Sequence, residues 1–216
     1  MSANPDGVVV IGLGRFGGQV AESLARLGHD VLGIDENPEI VQRMADRLTH
    51  VVQADSTDDE ALRQLGVAEF ARAVVGIGTD IEASVLTVLA LTELGLRDIW
   101  AKAISSKHGR ILERVGAQHV VYPEADMGER VAHLVTGQLM DFFELDRGFA
   151  IVKVSPPRDV VGKTLAEAAL RTRSGLTVVA VKRPGAGIET ALPDTVINDG
   201  DLLIVAGPTD RIERLA

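Results

Sequence analysis

The sequence contains no cysteine, which excludes disulfide bonds, thiolate zinc sites and thiol catalysis. Aromatic residues make up only 3% of the 216 residues, so the core must consist of aliphatic side chains. There is no block of lysines and arginines, and 31 acidic against 22 basic residues give a net charge of −9. A nucleic-acid partner is therefore not expected, because neutralisation of phosphates dominates that affinity.

Long apolar runs are also absent. The longest stretches without a charged residue, Ala83–Thr92 and Val131–Met140, fall short of the ~18–20 residues that span a bilayer. The opening MSANPDG has no basic start and no apolar stretch, so no signal peptide is expected. Together with the missing cysteines, these features are typical of a cytoplasmic protein.

The most informative segment is residues 8–35, VVVIGLGRFGGQVAESLARLGHDVLGID. Its β-branched run Val8–Ile11 is typical of a strand buried on both faces. Gly12, Gly14 and Gly17 follow in G-x-G-x-x-G spacing. In this motif the first glycine permits a tight turn, the second lets the backbone approach a phosphate, and the third lets helix and strand pack closely.

A helical pattern opens at this turn, with Val20, Leu24 and Leu27 on one face, and ends at Gly28. The free N–H groups and the dipole at the start of such a helix favour an anion. A second strand, Val31–Ile34, follows directly. Strand, turn, helix and strand in this register indicate a phosphate-binding turn far more strongly than the glycines alone.

Asp35 ends the second strand, 18 residues past Gly17, where a carboxylate can accept both hydroxyls of an adenosine ribose. The alternative is a plain cap at the strand end. A carboxylate at this place disfavours NADP, whose 2′-phosphate it would repel. We therefore predict that the chain binds an adenine nucleotide, which leaves open whether it catalyses a reaction with it.

Strands and helices continue to alternate after Asp35. Further strands are predicted at 50–53, 73–77, 99–103 and 119–121, and helices at 38–48, 58–65, 81–94, 107–115 and 125–140, with Asn37 as an N-cap. Six strands alternating with helices predict an α/β fold, a Rossmann-like doubly wound parallel sheet with right-handed crossovers.

The helix predicted at 125–140 carries more apolar residues than one face requires, which indicates burial, including against a second subunit. With the two phenylalanines that follow, the apolar set is Met127, Val131, Leu134, Val135, Leu139, Phe142 and Phe143. The segment 141–149 (DFFELDRGF) is predicted to be a hinge. We thus expect a nucleotide-binding domain at 1–140 and a small α+β domain at 150–216.

Five segments together resemble one protein family. They are VVVIGLGRFGGQVAESLARLGHDVLGID, QADST, IGTDIEAS, IWAKA and GAQHVVYPEADMG. They resemble the regulatory subunits of bacterial Trk/Ktr potassium transporters, which carry the RCK (KTN) domain, and the Ktr-type subunit most closely. The tail, with LRTRSGLTVVAVKR and DGDLLIVAG, is similar to the C-terminal lobe of that family. The resemblance covers about residues 7 to 214.

The resemblance implies a Rossmann-like RCK N-lobe followed by a small α+β C-lobe. It also implies a homo-oligomer in which dimers of N-lobes build an octameric ring, docked on a membrane K+ translocating subunit of Ktr/Trk type. Such a subunit would be cytoplasmic and peripheral to the inner face of the cell membrane. ATP, ADP or NAD(H) would bind the N-lobes, and the identity of the nucleotide would change the ring's shape and hence transport.

The resemblance also implies roles for individual residues. The glycine turn and Arg15 would face the phosphates, Asp35 the ribose, and Asp55 and Ser56 the base. The full set of expected nucleotide-binding residues is Gly12, Gly14, Arg15, Phe16, Gly17, Asp35, Asp55, Ser56, Ile77, Gly78, Lys102 and Glu124.

Three further charged members of this set have an alternative interpretation. Arg15 could be a solvated cation rather than a phosphate contact in its own or a neighbouring subunit, although a helix start disfavours an unpaired cation. Lys102 would lie near the ribose or the phosphates, or else extend to solvent from its strand end. Glu124 would lie near the terminal phosphates or bind a cation such as Mg2+, Ca2+ or Na+, or else be a first-turn helix acid.

A second ligand is implied for the C-lobe. In relatives that bind cyclic di-AMP, two aliphatic residues and an arginine form the pocket, and these fall on Leu165, Ala166 and Arg171. Ala166 departs from that pattern because it is smaller. The five histidines show no metal-binding spacing, so no histidine metal site is expected.

Two other function classes compete with a nucleotide sensor. A small NAD-dependent oxidoreductase would need a proton donor. The single tyrosine, Tyr122, has no lysine four residues on, and no histidine has a recognisable acid–base partner. An assembly scaffold with a vestigial site would bind nucleotide weakly or not at all. The sensor hypothesis explains a complete nucleotide motif without a catalytic set, so we expect no enzymatic activity.

Overall fold

The computed structural model of the protein describes residues 4–135, 141–146 and 148–215. The chain divides into two compact units, Met1–Glu124 and Ala125–Ala216. None of the helices in this described part has both the length and the apolar character that crossing a bilayer requires.

The first unit contains one six-stranded sheet in the order β3-β2-β1-β4-β5-β6, with every neighbouring pair parallel. Its strands are β1 (Asn4–Ile11), β2 (Val31–Asp35), β3 (His50–Gln53), β4 (Phe70–Val75), β5 (Ile99–Lys102) and β6 (His119–Val121). Its helices are α1 (Arg15–Arg26), α2 (Pro38–Ala45), α3 (Asp59–Gln64), α4 (Ile81–Glu93) and α5 (Ser106–Val115), with a 3-10 turn at Val67–Glu69. The predicted doubly wound parallel sheet is confirmed.

Strand β1 is buried on both faces, as its β-branched run predicts. Val9 and Ile11 join the core under α3, α4 and α5, whereas Val8 and Val10 join the core under α1 and α2. Helix α1 meets the sheet through its small residues at 17, 18 and 21, because only small side chains let helix and strand approach so closely. Leu27, predicted to lie on one helix face with Val20 and Leu24, lies past the end of α1 and is 74% exposed.

Helix α6 (Pro123–Val135) crosses the division between the two units. Met127, Val131 and Val135 on it are exposed within the chain, so the described residues do not cover these three side chains, whereas Leu134 is half-buried. The remainder of the predicted helix, with Leu139, lies outside the described residues.

The second unit is built on a five-stranded antiparallel sheet in the order β10-β9-β11-β8-β7. Its strands are β7 (Asp141–Asp146), β8 (Phe149–Val154), β9 (Thr177–Lys182), β10 (Ile188–Thr190) and β11 (Leu202–Pro208). Its helices are α7 (Leu165–Ala168), α8 (Leu170–Ser174) and α9 (Thr209–Leu215), with a 3-10 turn at Arg158–Val160. The expected small α+β domain is confirmed.

Two local features of this unit come from its packing. Residues 141–146, within the predicted hinge 141–149, form strand β7, because Phe142 is buried in the core of this unit and the strand pairs with β8. Whether the chain bends in this region stays a prediction. Residues 165–174 form two short helices rather than one, because Ala169 between them adopts the left-handed conformation at φ 48°.

Candidate functional site

The carboxyl ends of the six parallel strands share one edge of the sheet. The strand order reverses between β1 and β4, and in open parallel sheets the crevice at such a point is where ligands bind. The predicted residues follow the strands at this edge. They are Gly12–Gly17 after β1, Asp35 on β2, Asp55 and Ser56 after β3, Ile77 and Gly78 after β4, Lys102 on β5 and Glu124 after β6.

The glycine turn has the geometry that its spacing predicts. Gly12 has φ 81°, which an L side chain rarely adopts, and its N–H donates to the carbonyl of Ile34 over 2.8 Å. A Cβ on Gly17 would overlap the carbonyl oxygen of Gly12, so this glycine is needed for close packing of the helix. A Cβ on Gly14 would meet no atom of the described residues within 4 Å, which leaves room beside the turn.

Gly76, which follows β4, packs against this turn and was not predicted from the sequence. A Cβ on Gly76 would lie 2.7 Å from the carbonyl oxygen of Gly12 and 3.0 Å from the Cα of Gly17. Its N–H donates to Ile11 at the end of β1 over 2.7 Å. The sequence signal was available, since Gly76 and Gly78 repeat a G-x-G directly after a second buried strand.

Asp35 is buried and braces the glycine turn. Its Oδ2 accepts from the N–H of Leu13 at 2.7 Å, and its Oδ1 accepts from the N–H of Asn37 at 2.9 Å. The strand-end capping role is therefore present in the structure. It does not exclude the predicted ribose contact, because each carboxylate oxygen has a second acceptor site.

The two residues expected near the base differ in their accessibility. Asp55 is exposed, and hydrogen bonds from the hydroxyl and the N–H of Thr57 hold its pKa below the ordinary value. Ser56 is buried, with its hydroxyl 2.8 Å from the hydroxyl of the fully buried Thr87. The Ser56 side chain is thus tied into the interior of the unit, and its role at the base stays a prediction.

The ends of β4 and β5 place a lysine beside the glycine turn. A Cβ on Gly78 would lie 3.2 Å from both Cε and Nζ of Lys102, so a side chain at 78 would crowd the lysine. The Nζ of Lys102 lies 5.8 Å from the ring centre of Phe16 in the first turn of α1. Ile77 also packs against the glycine turn, since its Cγ1 would be 2.9 Å from a Cβ on Gly12.

Lys102 and Glu124 form an ion pair with Nζ and Oε1 2.5 Å apart. The hydrogen bond from Lys102 is the main cause that lowers the pKa of Glu124 below its ordinary value, and the charge of Arg15 acts in the same direction. Arg15 itself is exposed at the start of α1, whose first turn holds no acidic residue. Two cations therefore lie near one carboxylate at the edge where phosphates are expected.

The donor set for a metal ion is sparse. Within the described residues, no three His, Cys, Asp or Glu side chains come together as a metal site. Glu124 faces the ammonium of Lys102, which already neutralises it. A cation here would thus need further oxygens, such as those of phosphates.

The residues expected to hold a second ligand lie on α7 and α8 of the second unit. Leu165 is half-buried against the core, and its N–H donates to Thr195 over 2.9 Å. Ala166 and Arg171 are exposed, with the N–H of Ala166 bonded to the carbonyl of Pro193 over 2.9 Å. That they form a ligand pocket stays a prediction.

A Rossmann-like parallel sheet with a glycine turn, followed by a small domain with an antiparallel sheet, defines the class of protein. Comparison with known proteins gives the same two parts: residues 8–123 match the TrkA-N domain and residues 149–216 match the TrkA-C domain. The chain belongs to this family of RCK regulatory subunits, and the resemblance inferred from the motifs is confirmed.

Two curated relatives match over most of their length. The Ktr system potassium uptake protein C of Bacillus subtilis (strain 168) is 38% identical over 206 residues, covering 95% of this chain and 93% of the relative. The Ktr system potassium uptake protein A of Vibrio alginolyticus is 34% identical over 204 residues, covering 94% and 93%.

Solved structures show the same fold at low identity. The GsuK RCK domain matches with a TM-score of 0.66 at 20% identity, covering 97% of this chain and 46% of the solved chain. A structure described as the GsuK channel bound to NAD matches with a TM-score of 0.67 at 19% identity, covering 98% and 39%. The chain thus spans less than half the length of these solved chains.

Proposed function

We propose that the chain is a nucleotide-sensing regulatory subunit that assembles into a ring and gates a membrane K+ transporter. The observation that carries this proposal is the convergence at one sheet edge of the glycine turn, Asp35 and the cations Arg15 and Lys102. These are groups that bind a nucleotide.

The relatives support the transport part of the proposal. Two of them, 38% and 34% identical, are named potassium uptake proteins of Ktr systems, and the chain covers 93% of the length of each. By analogy, the partner is a membrane K+ translocating subunit of Ktr/Trk type, and the chain acts in the cytoplasm at the inner face of the membrane.

The nucleotide is ATP, ADP or NAD(H). The turn Gly12–Gly17 offers backbone N–H groups and the dipole of α1 to the phosphates, with space beside Gly14. Asp35 accepts from the ribose through the lone pairs that its hydrogen bonds with Leu13 and Asn37 leave. Asp55, which follows β3 at the same edge, is assigned to the base. Among the solved structures of this fold, one is described as bound to NAD.

Two further ligands belong to the proposal. A cation such as Mg2+, Ca2+ or Na+ joins Glu124 to the terminal phosphate oxygens, which supply the ligands that the described residues lack. Cyclic di-AMP binds in the second unit at Leu165, Ala166 and Arg171, of which the latter two are exposed.

Regulation requires the nucleotide to bind one conformation of the ring better than another, because equal affinity shifts no equilibrium. ATP and ADP differ by one phosphate, and the two cations of the site are the groups that can respond to this difference in charge. The proposal therefore assigns the switch to the phosphate end of the site.

Calorimetric titration of the full chain with ATP, ADP, NADH and cyclic di-AMP tests the binding step. We expect at least one adenine nucleotide to bind at micromolar concentration, and K+ flux through the reconstituted membrane subunit to change when ATP replaces ADP. A chain that ignores ATP, ADP and NADH alike at millimolar concentration would refute the proposal.

A further inference from the structure

The ion pair between Lys102 and Glu124 is asymmetric. The lysine side chain is only 12% exposed, whereas the carboxylate that it contacts at 2.5 Å is 66% exposed. Water can therefore solvate the carboxylate in place of the ammonium, while the ammonium stays enclosed. An ion pair with one exposed and one enclosed partner is suited to exchange of the exposed partner.

The enclosed partner, Lys102, lies at the edge of the sheet where phosphates are expected. Lys102 ends β5, its terminal atoms pack where Gly78 leaves room for them, and its ammonium lies 5.8 Å from the ring centre of Phe16. Phe16 is the second residue of α1, directly after the glycine turn. The ammonium thus lies next to the turn that is expected to bind phosphate.

The exposed partner, Glu124, has a pKa that both cations of the site lower. Lys102 and, less strongly, Arg15 hold the pKa of Glu124 below its ordinary value. A single carboxylate thereby serves as counter-ion to the two positive charges that a nucleotide's phosphates would meet. Glu124 occupies the electrostatic position of an anionic ligand.

We propose that Glu124 is an internal competitor for Lys102, which phosphate groups of the nucleotide must displace when they bind. This inference rests on the proposed function and assigns to the pair the selection of phosphorylated ligands. A terminal phosphate carries a charge of about −1.5 to −2 and three strong acceptor oxygens. It therefore interacts more strongly with the ammonium of Lys102 than the single carboxylate that it replaces. Adenosine brings no such charge and leaves the ion pair in place.

The test is calorimetry in the presence of a chelator, with ADP and adenosine as probes. Glu124→Gln removes the competitor, and we expect it to tighten ADP binding about fivefold, the factor that corresponds to a largely exposed ion pair. Adenosine affinity should not change. Glu129→Gln is the matched control, since it removes one exposed charge from the same helix α6 and should leave both affinities as in the wild type.

Lys102→Met completes a double-mutant cycle. We expect it to weaken ADP binding and to abolish the gain from Glu124→Gln in the double variant, because the competitor then has nothing to compete for. If wild-type protein binds ADP while Glu124→Gln leaves that affinity unchanged or weakens it, the inference is overturned. An equal gain from Glu129→Gln would overturn it too, as an effect of net charge. If the wild type binds ATP or NADH but not ADP, the inference is overturned. If it binds none of ATP, ADP and NADH, the proposed function is overturned instead.

Discussion

At the scale of single residues, Asp35 combines a structural task with a predicted ligand contact. Its carboxylate accepts from the N–H groups of Leu13 and Asn37, one on the glycine turn and one before α2. A substitution at this position must therefore be judged by two measurements, the stability of the protein alone and the stability gained from nucleotide.

We predict that Asp35→Ala lowers the free energy of unfolding by about 1–3 kcal/mol, because two N–H groups lose their acceptor. It should also abolish most of the stabilisation by ADP, which is about 2.7 kcal/mol at a hundred times the Kd for wild-type protein. Urea unfolding with and without ADP measures both effects.

Asp58→Ala is the control, since it removes the N-cap of α3, which accepts from Glu60 and Ala61. It should cost about 1 kcal/mol and retain the stabilisation by ADP. Full ADP stabilisation in Asp35→Ala would show that the carboxylate is only a cap.

Arg15 is the second residue with a specific expectation. It is exposed at the amino end of α1, where the dipole disfavours a cation without an anionic partner. Arg15→Ala should weaken ATP binding about tenfold and ADP binding less, because a charge-assisted hydrogen bond to the added phosphate is lost. Calorimetry compares it with Arg26→Ala, at the exposed far end of the same helix. An unchanged ratio of ATP to ADP affinity would remove Arg15 from the site.

At the scale of elements, the close packing of α1 on the sheet gives two glycines of one motif different roles. A methyl group on Gly17 would overlap the carbonyl oxygen of Gly12, whereas one on Gly14 would meet no described atom within 4 Å. Gly14 also has an ordinary φ of −61°. Substitution by alanine should therefore lower the stability of the fold at position 17 and weaken nucleotide binding at position 14.

We predict that Gly17→Ala lowers the free energy of unfolding by about 3 kcal/mol, because backbone must move to accept the methyl group. Gly14→Ala should unfold like the wild type and bind nucleotide more weakly, because its methyl group enters the space beside the turn. Thermal unfolding and calorimetry on the pair decide this. A Gly14→Ala variant with wild-type affinity would place the phosphates elsewhere.

At the scale of the whole molecule, exposed apolar side chains of α6 and β7 are the basis for a prediction about assembly. On α6, Val135 is 79% exposed, and Val131 and Met127 are exposed as well. On β7, Phe143 is exposed, whereas Phe142, expected to join the apolar set, is buried in the second unit. Exposed apolar patches mark interfaces, and identical subunits close by symmetry.

We predict that the wild type is a multimer, with an octamer expected from the family resemblance, and that Val135→Asp yields smaller species. A charge at this position would be desolvated without a partner on assembly. Light scattering after size-exclusion chromatography measures the mass, with Leu27→Asp as the control, since Leu27 is 74% exposed on the first unit. A wild-type monomer at micromolar concentration would contradict the prediction.

The absence of catalysis is a further prediction at this scale. NADH mixed with the protein and simple ketones or aldehydes should be oxidised at the background rate only, because Tyr122 has no lysine four residues on and no histidine has a recognisable acid–base partner. Absorbance at the nicotinamide band follows the reaction. Steady turnover with any of these substrates would support the oxidoreductase alternative.

The sequence by itself determined the elements of the first unit and the glycine turn. Its local patterns have a direct physical cause, because a β-branched run buried on both faces, a G-x-G-x-x-G turn and a capping Asn37 each act within a few residues. The carboxyl ends of parallel strands share an edge, so the predicted alternation placed Asp35 and Lys102 at that edge. Glu124 was assigned to the site by the family resemblance.

Only the tertiary structure decided which side chains pair across that edge. The ion pair of Lys102 with Glu124 and the contact of Gly76 with the turn join residues from neighbouring strands, whose order β3-β2-β1-β4-β5-β6 no local pattern specifies. The same holds for β7, where burial of Phe142 depends on pairing with β8. Local propensity fixes the elements, whereas contacts between distant segments depend on packing, which only the folded chain provides.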